Sequence, residues 1–192
     1  RTMINHYTYR KLFTLKNGKT VLVRLLNGED RECLVKLFRD SSQEDIEFCK
    51  EDLKNPHVVD HWLNPGNTGK ILSIVAIDLE TKRPIAAGIL YQGQQAALKV
   101  GDIQQIFVSR PFQGLGLGSL MLDELLDLAS QENIHWLKAE VPIEQKHVIK
   151  SFLARDFEIR ATLEDFFISK KGIPFDVALM MRPLINNGAE DF

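Results

Sequence analysis

The most informative stretch of this chain is Gln113-Gly114-Leu115-Gly116-Leu117-Gly118. It follows a strand-like run, Ile103 to Val108, and it opens an amphipathic helix. Glycine at every second position leaves backbone N–H groups unshielded at the start of that helix. The helix dipole and the unpaired donors favour an anion there, such as a pyrophosphate. The stretch therefore predicts a phosphate-binding loop.

Two common glycine-rich loops do not fit this stretch. A Walker loop requires glycine, four residues and then Gly-Lys-Ser or Gly-Lys-Thr, but no lysine follows Gly118. A dinucleotide-binding loop requires glycine where Ser119 stands, and it begins directly after its strand. Here five residues separate Val108 from Gly114. Both readings are therefore disfavoured.

The remaining pattern is Gln/Arg-x-x-Gly-x-Gly/Ala, with Pro111 in the link to the strand. It resembles the acetyl-CoA pyrophosphate loop of the GCN5-related N-acetyltransferase (GNAT) superfamily, and strand, loop and helix occur in the required order. The resemblance implies an α/β fold of the acyl-CoA N-acyltransferase type. In that fold helices flank a strongly twisted mixed sheet whose central strands splay apart.

Hydrophobic periodicity and turn residues predict the other elements. The predicted strands are Lys19 to Leu25, Ile71 to Leu79, Pro84 to Tyr91, Leu98 to Val108, Ile134 to Val141, Phe157 to Leu163 and Val177 to Met181. The sequence predicts four helices besides the one after the glycine loop. The first carries Cys33 to Phe38, and the second is capped by Ser42 and carries Ile46, Cys49 and Leu53. The third is a short piece from Val58 to Leu63, and the fourth runs from Glu144 to Arg155. This order matches the acetyltransferase fold.

The amino-terminal part adds a narrower likeness. Its spacing resembles the acetyltransferase domain of bacterial protein lysine acetyltransferases. The residues in that spacing are Leu15, Gly18, Val21, Arg24, Asp30, Leu34, Phe38, Ser41 and Glu44. Most of these positions also have ordinary structural roles in turns, helix starts or the core.

Length and composition favour one domain over residues 1–192, with a core of about 19–183 and a polar tail at 184–192. The chain is 44% hydrophobic and 26% charged, with a net charge of −2. This charge balance indicates neither nucleic acid nor a membrane as partner, and the apolar runs are shorter than a membrane span. We expect a cytoplasmic protein, and a homodimer is compatible with the sequence. Cys33 and Cys49 form no C-x-x-C unit and are expected to be buried or half-buried free thiols.

The resemblance also implies where acetyl-CoA, the expected co-substrate, would lie. The gap between the strands Ile103 to Val108 and Ile134 to Val141 would hold the pantetheine arm, which pairs with the main chain like an added strand. The implied CoA-contacting residues are Ile106, Phe107, Val108, Gln113, Gly114, Leu115, Gly116, Leu117, Gly118, Ser119 and Phe152. Gln113 replaces an arginine that is common at its position, so it keeps a donor and loses a charge.

The reaction implied is direct transfer of an acetyl or short acyl group to an amine acceptor, either a small molecule or a protein lysine or N-terminus. A protonated amine must lose a proton before attack, so a carboxylate or a water chain is needed. Asp102 falls where some family members place a catalytic glutamate. The alternative interpretation is that Asp102 is a solvated residue at a strand end. Glu140 on the next strand is the other candidate base. The alternative interpretation is that Glu140 is an ordinary surface charge.

Phe152 marks a departure from the family. Many members carry a tyrosine there, in a run ending Leu-Tyr-x-x-x-Gly-Phe, and that tyrosine protonates the departing thiolate. Gln145 likewise replaces a common asparagine, and Asp156 replaces the glycine of the run. A thiolate with a pKa of about 8.5 is a fair leaving group, so the missing acid slows the reaction without abolishing it. The alternative is a non-catalytic acyl-CoA-binding regulatory or sensor domain.

His57 and His61 stand four residues apart, a spacing found in some zinc sites. Pro56 precedes them and no third ligand is evident, so we expect an exposed helix there and no metal site.

Overall fold

The computed structural model describes residues 9–93, 99–132 and 134–184. The strands are β1 (Arg10–Thr14), β2 (Thr20–Leu25), β3 (Ile71–Asp78), β4 (Arg83–Gln92), β5 (Val100–Val108), β6 (Trp136–Pro142), β7 (Glu158–Ile168) and β8 (Pro174–Pro183). The helices are α1 (Arg31–Asp40), α2 (Gln43–Ile46), α3 (Pro56–Leu63), α4 (Leu117–Ser130) and α5 (Lys146–Leu153).

All eight strands belong to one sheet with the order β1-β2-β3-β4-β5-β6-β8-β7. Neighbouring strands are antiparallel except β5 and β6, which are parallel and are connected through α4. A parallel pair needs such a crossover helix, and this one lies directly after the glycine loop. The fold class predicted from the sequence, a mixed sheet flanked by helices, is confirmed.

The sheet has an apolar core on each face. One core contains the buried side of α4, including Met121, Leu122 and Leu125, together with Phe152 of α5. The other contains residues of the first three helices. Examples of the latter are Leu34, Phe38, Ile46, Val59 and Trp62. Burial of both faces explains why β3 and β4 read as nearly continuous apolar runs.

Local capping sets the helix starts that the sequence predicts. The Asn27 side chain accepts from the Glu29 amide and forms a capping box with Asp30, which leads into α1. Ser42 accepts from the amide of Asp45 at the start of α2. Each cap satisfies donors that a helix start leaves unpaired.

The amino-terminal half differs from the sequence analysis in three respects. The strand β1 was not predicted, because Leu12 and Phe13 are adjacent apolar residues rather than alternating ones, and Leu12 is 64% exposed at the sheet edge. The second helix ends at Ile46. Cys49 and Leu53 are buried as predicted, but they reach the core through turns stabilised by tertiary packing. Cys33, which was expected to be buried or half-buried, is exposed because it lies on the solvent side of α1.

Other element boundaries shift by a few residues. β6 runs from Trp136 to Pro142 rather than from Ile134, and α5 begins at Lys146 rather than Glu144. β7 continues to Ile168, five residues beyond the prediction, because its outer half pairs with β8 in a hairpin that the local pattern did not reveal. Leu98, the predicted start of β5, and the predicted tail from residue 185 lie outside the described residues.

Candidate active site

A cleft opens where β5 and β6 part. The two strands pair only from Val100 to Asp102, opposite Trp136 to Lys138, and their remaining residues do not pair with each other. The opening leads into a cleft of about 860 Å³ lined by β5, the glycine loop, β6 and α5. The predicted splaying of the central strands is therefore present.

A β-bulge lies close to this point of separation. Ile89 of β4 pairs with Gln105, whereas the next residue, Leu90, pairs with Ile103. Gln104 is therefore an extra residue in β5. Bulges bend a strand and increase its local twist, so this one favours the divergence of β5 from β6.

The main chain of β5 beyond the bulge presents hydrogen-bonding groups to the cleft. The Ser109 amide donates to the Ile85 carbonyl of the β4 side at 2.9 Å. Because alternate residues of an antiparallel strand face its partner, Phe107 also bonds toward β4. Ile106 and Val108 therefore direct their N–H and C=O groups away from β4, toward the gap.

The glycine loop is built for backbone exposure at the start of α4. Gly114 and Gly116 have φ values of 74° and 86°, which residues with a Cβ rarely adopt. In the described part of the chain, no acceptor is bound by the backbone amides of residues 114–119. The first donors of a helix lack internal partners and sit at the positive end of its dipole. These six amides therefore form a cradle that suits a phosphate group.

Gly118 differs from the other two glycines. Its φ is not positive, and a Cβ added there would meet only Val108 Cγ2, at 3.8 Å. Neither backbone conformation nor crowding within the chain requires glycine at this position. A close approach of a ligand to the backbone is the remaining physical reason for it.

The side chains around the loop are largely engaged within the protein. Gln113 donates from Nε2 to the Val108 carbonyl at 3.1 Å and to Asp45 at 3.4 Å. Arg110 forms ion pairs with Asp45 at 3.0 Å and with Glu44 at 3.1 Å. The loop thus offers main-chain donors rather than the charge of an arginine.

Lys16, in the turn between β1 and β2, also lines the cleft beside the loop. Its Cε lies 3.6 Å from the point that a Cβ on Gly116 would occupy, and its amide donates to the Leu115 carbonyl at 3.4 Å. Lys16 forms no ion pair with the described residues. Sequence reasoning missed it because β1, which positions this turn, was not predicted.

Four charged side chains meet at the inner end of the cleft, where β5 and β6 separate. Asp102 lies 3.0 Å from Lys138 and 3.8 Å from Lys50. Glu140 lies 3.3 Å from Lys50 and 3.5 Å from Lys138. Burial acts to raise the pKa of Glu140, but the two ammonium groups outweigh it and hold that pKa below its usual value. We call Asp102, Lys138, Glu140 and Lys50 the charged floor.

The two candidate bases differ in access. Glu140 lines the cleft, whereas Asp102 is not among the residues that line it. Of the predicted CoA-contacting residues, Leu115 is likewise outside the lining, and the others line the cleft. Lys50, by contrast, was not a candidate, since no sequence motif links a turn after α2 to the start of β5.

The α5 side of the cleft carries no tyrosine hydroxyl. Phe152 lines the cleft, is 4% exposed, and packs edge-on against Phe157 with ring centroids 4.8 Å apart. Among the described residues that line the cleft, Ser119 and Ser151 carry hydroxyls, and their oxygens are 3.4 Å apart. Arg155 donates to the Ser151 hydroxyl at 2.9 Å, which fixes it on this wall.

The opposite wall holds a buried thiol and a side-chain amide. Gln105 donates from Nε2 to Cys49 Sγ at 3.2 Å, and its Oε1 is buried without a described partner. Burial raises the pKa of the Cys49 thiol to about 12, so it is a neutral lining group rather than a nucleophile.

His57 and His61 lie on α3 as predicted. His57 Nδ1 is 3.7 Å from Asp60, and His61 Nδ1 is 3.2 Å from Asn67. Within residues 9–93, 99–132 and 134–184, no three His, Cys, Asp or Glu side chains are grouped so as to hold a metal ion. None of the helices in these ranges has the length and apolar character needed to span a membrane.

Comparison with solved structures finds the same fold in proteins of low sequence identity. A ribosomal-protein-S5-alanine acetyltransferase from Vibrio fischeri matches with a TM-score of 0.76 at 15% identity, over 94% of this chain and 100% of that one. The GNAT domain of an S. lividans PAT matches with a TM-score of 0.72 at 19% identity, over 91% and 97%.

A third similar structure is a spermidine N-acetyltransferase from Vibrio cholerae, solved with CoA and spermine. It matches with a TM-score of 0.71 at 17% identity, over 85% of this chain and 95% of that one. A comparison with curated protein sequences finds no match.

The family model of the acetyltransferase (GNAT) family matches residues 32–157. This range runs from α1 to the end of α5 and contains the glycine loop, the parting strands and most of the cleft lining. Since the match covers well over half of the chain, the chain belongs to the GNAT family of acetyltransferases.

Proposed function

We propose that this protein transfers an acetyl group from acetyl-CoA directly to the amine of an acceptor molecule. The observation that carries the proposal is the row of unpaired amides at residues 114–119, which opens onto the cleft between β5 and β6. The similar Vibrio cholerae enzyme was solved with CoA, which supports the choice of ligand.

The geometry suggests how CoA would be held. The amides of the loop would receive the pyrophosphate, and the groups of Ile106 and Val108 that face the gap would pair with the amides of the pantetheine arm. The arm would then run back along β5 from the loop. The thioester would lie near the bulge, at the charged floor.

Glu140 is the base that we propose, because it lines the cleft while Asp102 does not. Its carboxylate would take a proton from the acceptor ammonium, and the neutral amine would attack the thioester carbonyl. An amide N–H of β5 that faces the gap would donate to the oxyanion that forms. CoA would leave as a thiolate, since Phe152 provides no acid, and this thiolate would then take the second proton of the amine.

The test begins with calorimetric titration of the protein with CoA, for which we expect saturable binding. Thiol release from acetyl-CoA is then measured with a panel of amines. The panel includes spermidine and peptides with an N-terminal alanine, because proteins of similar structure are a spermidine N-acetyltransferase and a ribosomal-protein-S18-alanine N-acetyltransferase. It also includes lysine peptides. Failure of CoA to bind would contradict the proposal.

The absence of a hydroxyl at Phe152 favours a second candidate function, an acyl-CoA-binding regulatory domain without catalysis. Such a domain would bind CoA and acetyl-CoA with similar saturation behaviour. It would release no thiol with any amine of the panel. The two measurements together therefore separate a transferase from a sensor. The cytoplasmic location and the homodimer considered for this sequence stay predictions.

A further inference from the structure

Lys50 lies at the inner end of the cleft without a role in the reaction as described so far. It lines the cleft from the turns after α2, and its side chain is 19% exposed. The ammonium nitrogen itself is buried and has no hydrogen bond to a described acceptor. Its contacts with carboxylates are ion pairs, with Asp102 at 3.8 Å and with Glu140 at 3.3 Å.

This environment is the one that an acceptor amine needs. An amine that is to be acylated must lie beside a base and must face the cleft that holds the thioester. Lys50 Nζ lies between the two carboxylates that the sequence offers as bases. Lys50 Nζ and Asp102 Oδ1, 3.8 Å apart, are both buried, and neither forms a hydrogen bond with a described residue.

Lys138 provides an internal comparison. It contacts the same two carboxylates, at 3.0 Å from Asp102 and 3.5 Å from Glu140, but it does not line the cleft. Contact with the charged floor alone therefore does not bring an amine to the cleft. Lys50 combines that contact with a side chain that lines the cleft.

The direction of the cleft brings the thioester toward the same place. The amides of the glycine loop lie beyond the carboxyl end of β5, and the unpaired stretch of β5 leads from them back to Asp102. From Val108 to Gln104 this stretch spans about 13 Å at roughly 3.3 Å per residue. An arm that starts at the loop and follows this stretch ends beside the charged floor.

We propose that Lys50 is itself an acyl acceptor, so that the protein acetylates its own chain at this lysine. The proposal rests on the proposed function, since it uses the same acetyl-CoA cleft. Glu140 takes one proton from the Lys50 ammonium, and the neutral Nζ attacks the thioester carbonyl. The Nζ–C bond forms as the C–S bond breaks, and the bond's electron pair leaves with the CoA sulfur. The sulfur takes the second amine proton, and Glu140 returns the first to solvent.

The experiment incubates the full chain with acetyl-CoA and no added amine. Intact mass spectrometry counts the acetyl groups, and peptide mapping locates them. We expect one acetyl group per chain, on Lys50, with a first-order rate that does not change when the protein is diluted. Lys50→Arg should abolish this modification, and the matched variant Lys54→Arg, at an exposed residue outside the cleft lining, should retain it. The urea-unfolded chain should lose the preference for Lys50.

Three results would overturn the proposal. One is acetylation spread over the exposed lysines at similar rates in the folded and unfolded chains. Another is a rate that rises with protein concentration. The third is an unmodified Lys50 in protein that binds CoA by calorimetry and acetylates an added amine, which would leave the proposed function standing. Absence of CoA binding would overturn both proposals.

Discussion

Replacing Gly118 by aspartate should stabilise the fold and weaken CoA binding at the same time. Gly118 is the second residue of α4, its φ is not positive, and an added Cβ meets only Val108, at 3.8 Å. A side chain therefore fits. Glycine within a helix is unfavourable, and an acidic residue in the first turn interacts well with the helix dipole. We expect a gain of about 1 kcal/mol in the free energy of unfolding.

The effect on CoA binding has the opposite sign. A carboxylate at residue 118 would lie within about 6 Å of a phosphate held by the loop amides. At an effective dielectric constant of about 20, two unit charges at that distance repel by roughly 2.8 kcal/mol. Screening by salt reduces this to about 2 kcal/mol, which corresponds to a roughly 30-fold higher Kd.

Chemical denaturation measures the stability of the Gly118→Asp variant, and calorimetry at low and high salt measures its CoA affinity. The matched control is Gly28→Asp. Gly28 also starts a helical turn, has no atom within 4 Å of an added Cβ, and lies outside the cleft. The control should bind CoA like the wild type. Unchanged CoA affinity in a folded Gly118→Asp variant, or an equal loss in both variants, would refute the phosphate assignment.

Three further substitutions test the site and the fold. Glu140→Gln should lower turnover of an amine roughly 100-fold with little change in CoA affinity. The control is Glu144→Gln, at an exposed residue of the same cleft lining, which should leave turnover unchanged. Equal losses of turnover in both variants would exclude Glu140 as the base. The folded protein holds the pKa of Glu140 below its unfolded-state value. The Glu140 carboxylate therefore stabilises the fold above the unfolded-state pKa, and this contribution is lost as the pH falls through the folded-state pKa. Acid unfolding of the Glu140→Gln variant should show a weaker pH dependence in that range. Phe152→Tyr should raise kcat roughly tenfold if thiolate departure is slow, and an unchanged kcat would indicate that the thiolate leaves without an acid. Asp156 follows α5 with a φ of 63°, a conformation that glycine adopts without strain. Asp156→Gly should therefore raise the free energy of unfolding by about 0.5–1 kcal/mol, whereas Asp156→Ala should not raise it. Equal stability of the two variants would argue against strain at this residue.

The glycine loop was predictable because its signal is local. Strand, turn glycines and helix follow one another along the chain, so the amide cradle at the start of α4 depends on few distant contacts. The same holds for the capping residues Asn27 and Ser42. The strand β1 was missed for the opposite reason: Leu12 is an exposed apolar residue, and only pairing with β2 makes this segment a strand.

The inner end of the cleft was only partly predictable. Asp102 and Glu140 stood out because the family resemblance points to their strands, but the sequence could not say which of them reaches the cleft. Lys50 and Lys16 lie in turns without a motif, and each enters the cleft through a long-range contact.

The sequence by itself determined the glycine loop before α4, the alternating elements and the phenylalanine at residue 152, because these depend on residue type and on short spacings. The tertiary structure alone decided that Lys50, Lys138, Asp102 and Glu140 form one charged floor. The physical reason is that β5 and β6 become neighbours through the crossover helix α4, while the turns after α2 are held against them by core packing. Charges that are distant along the chain meet only when the sheet order has been set.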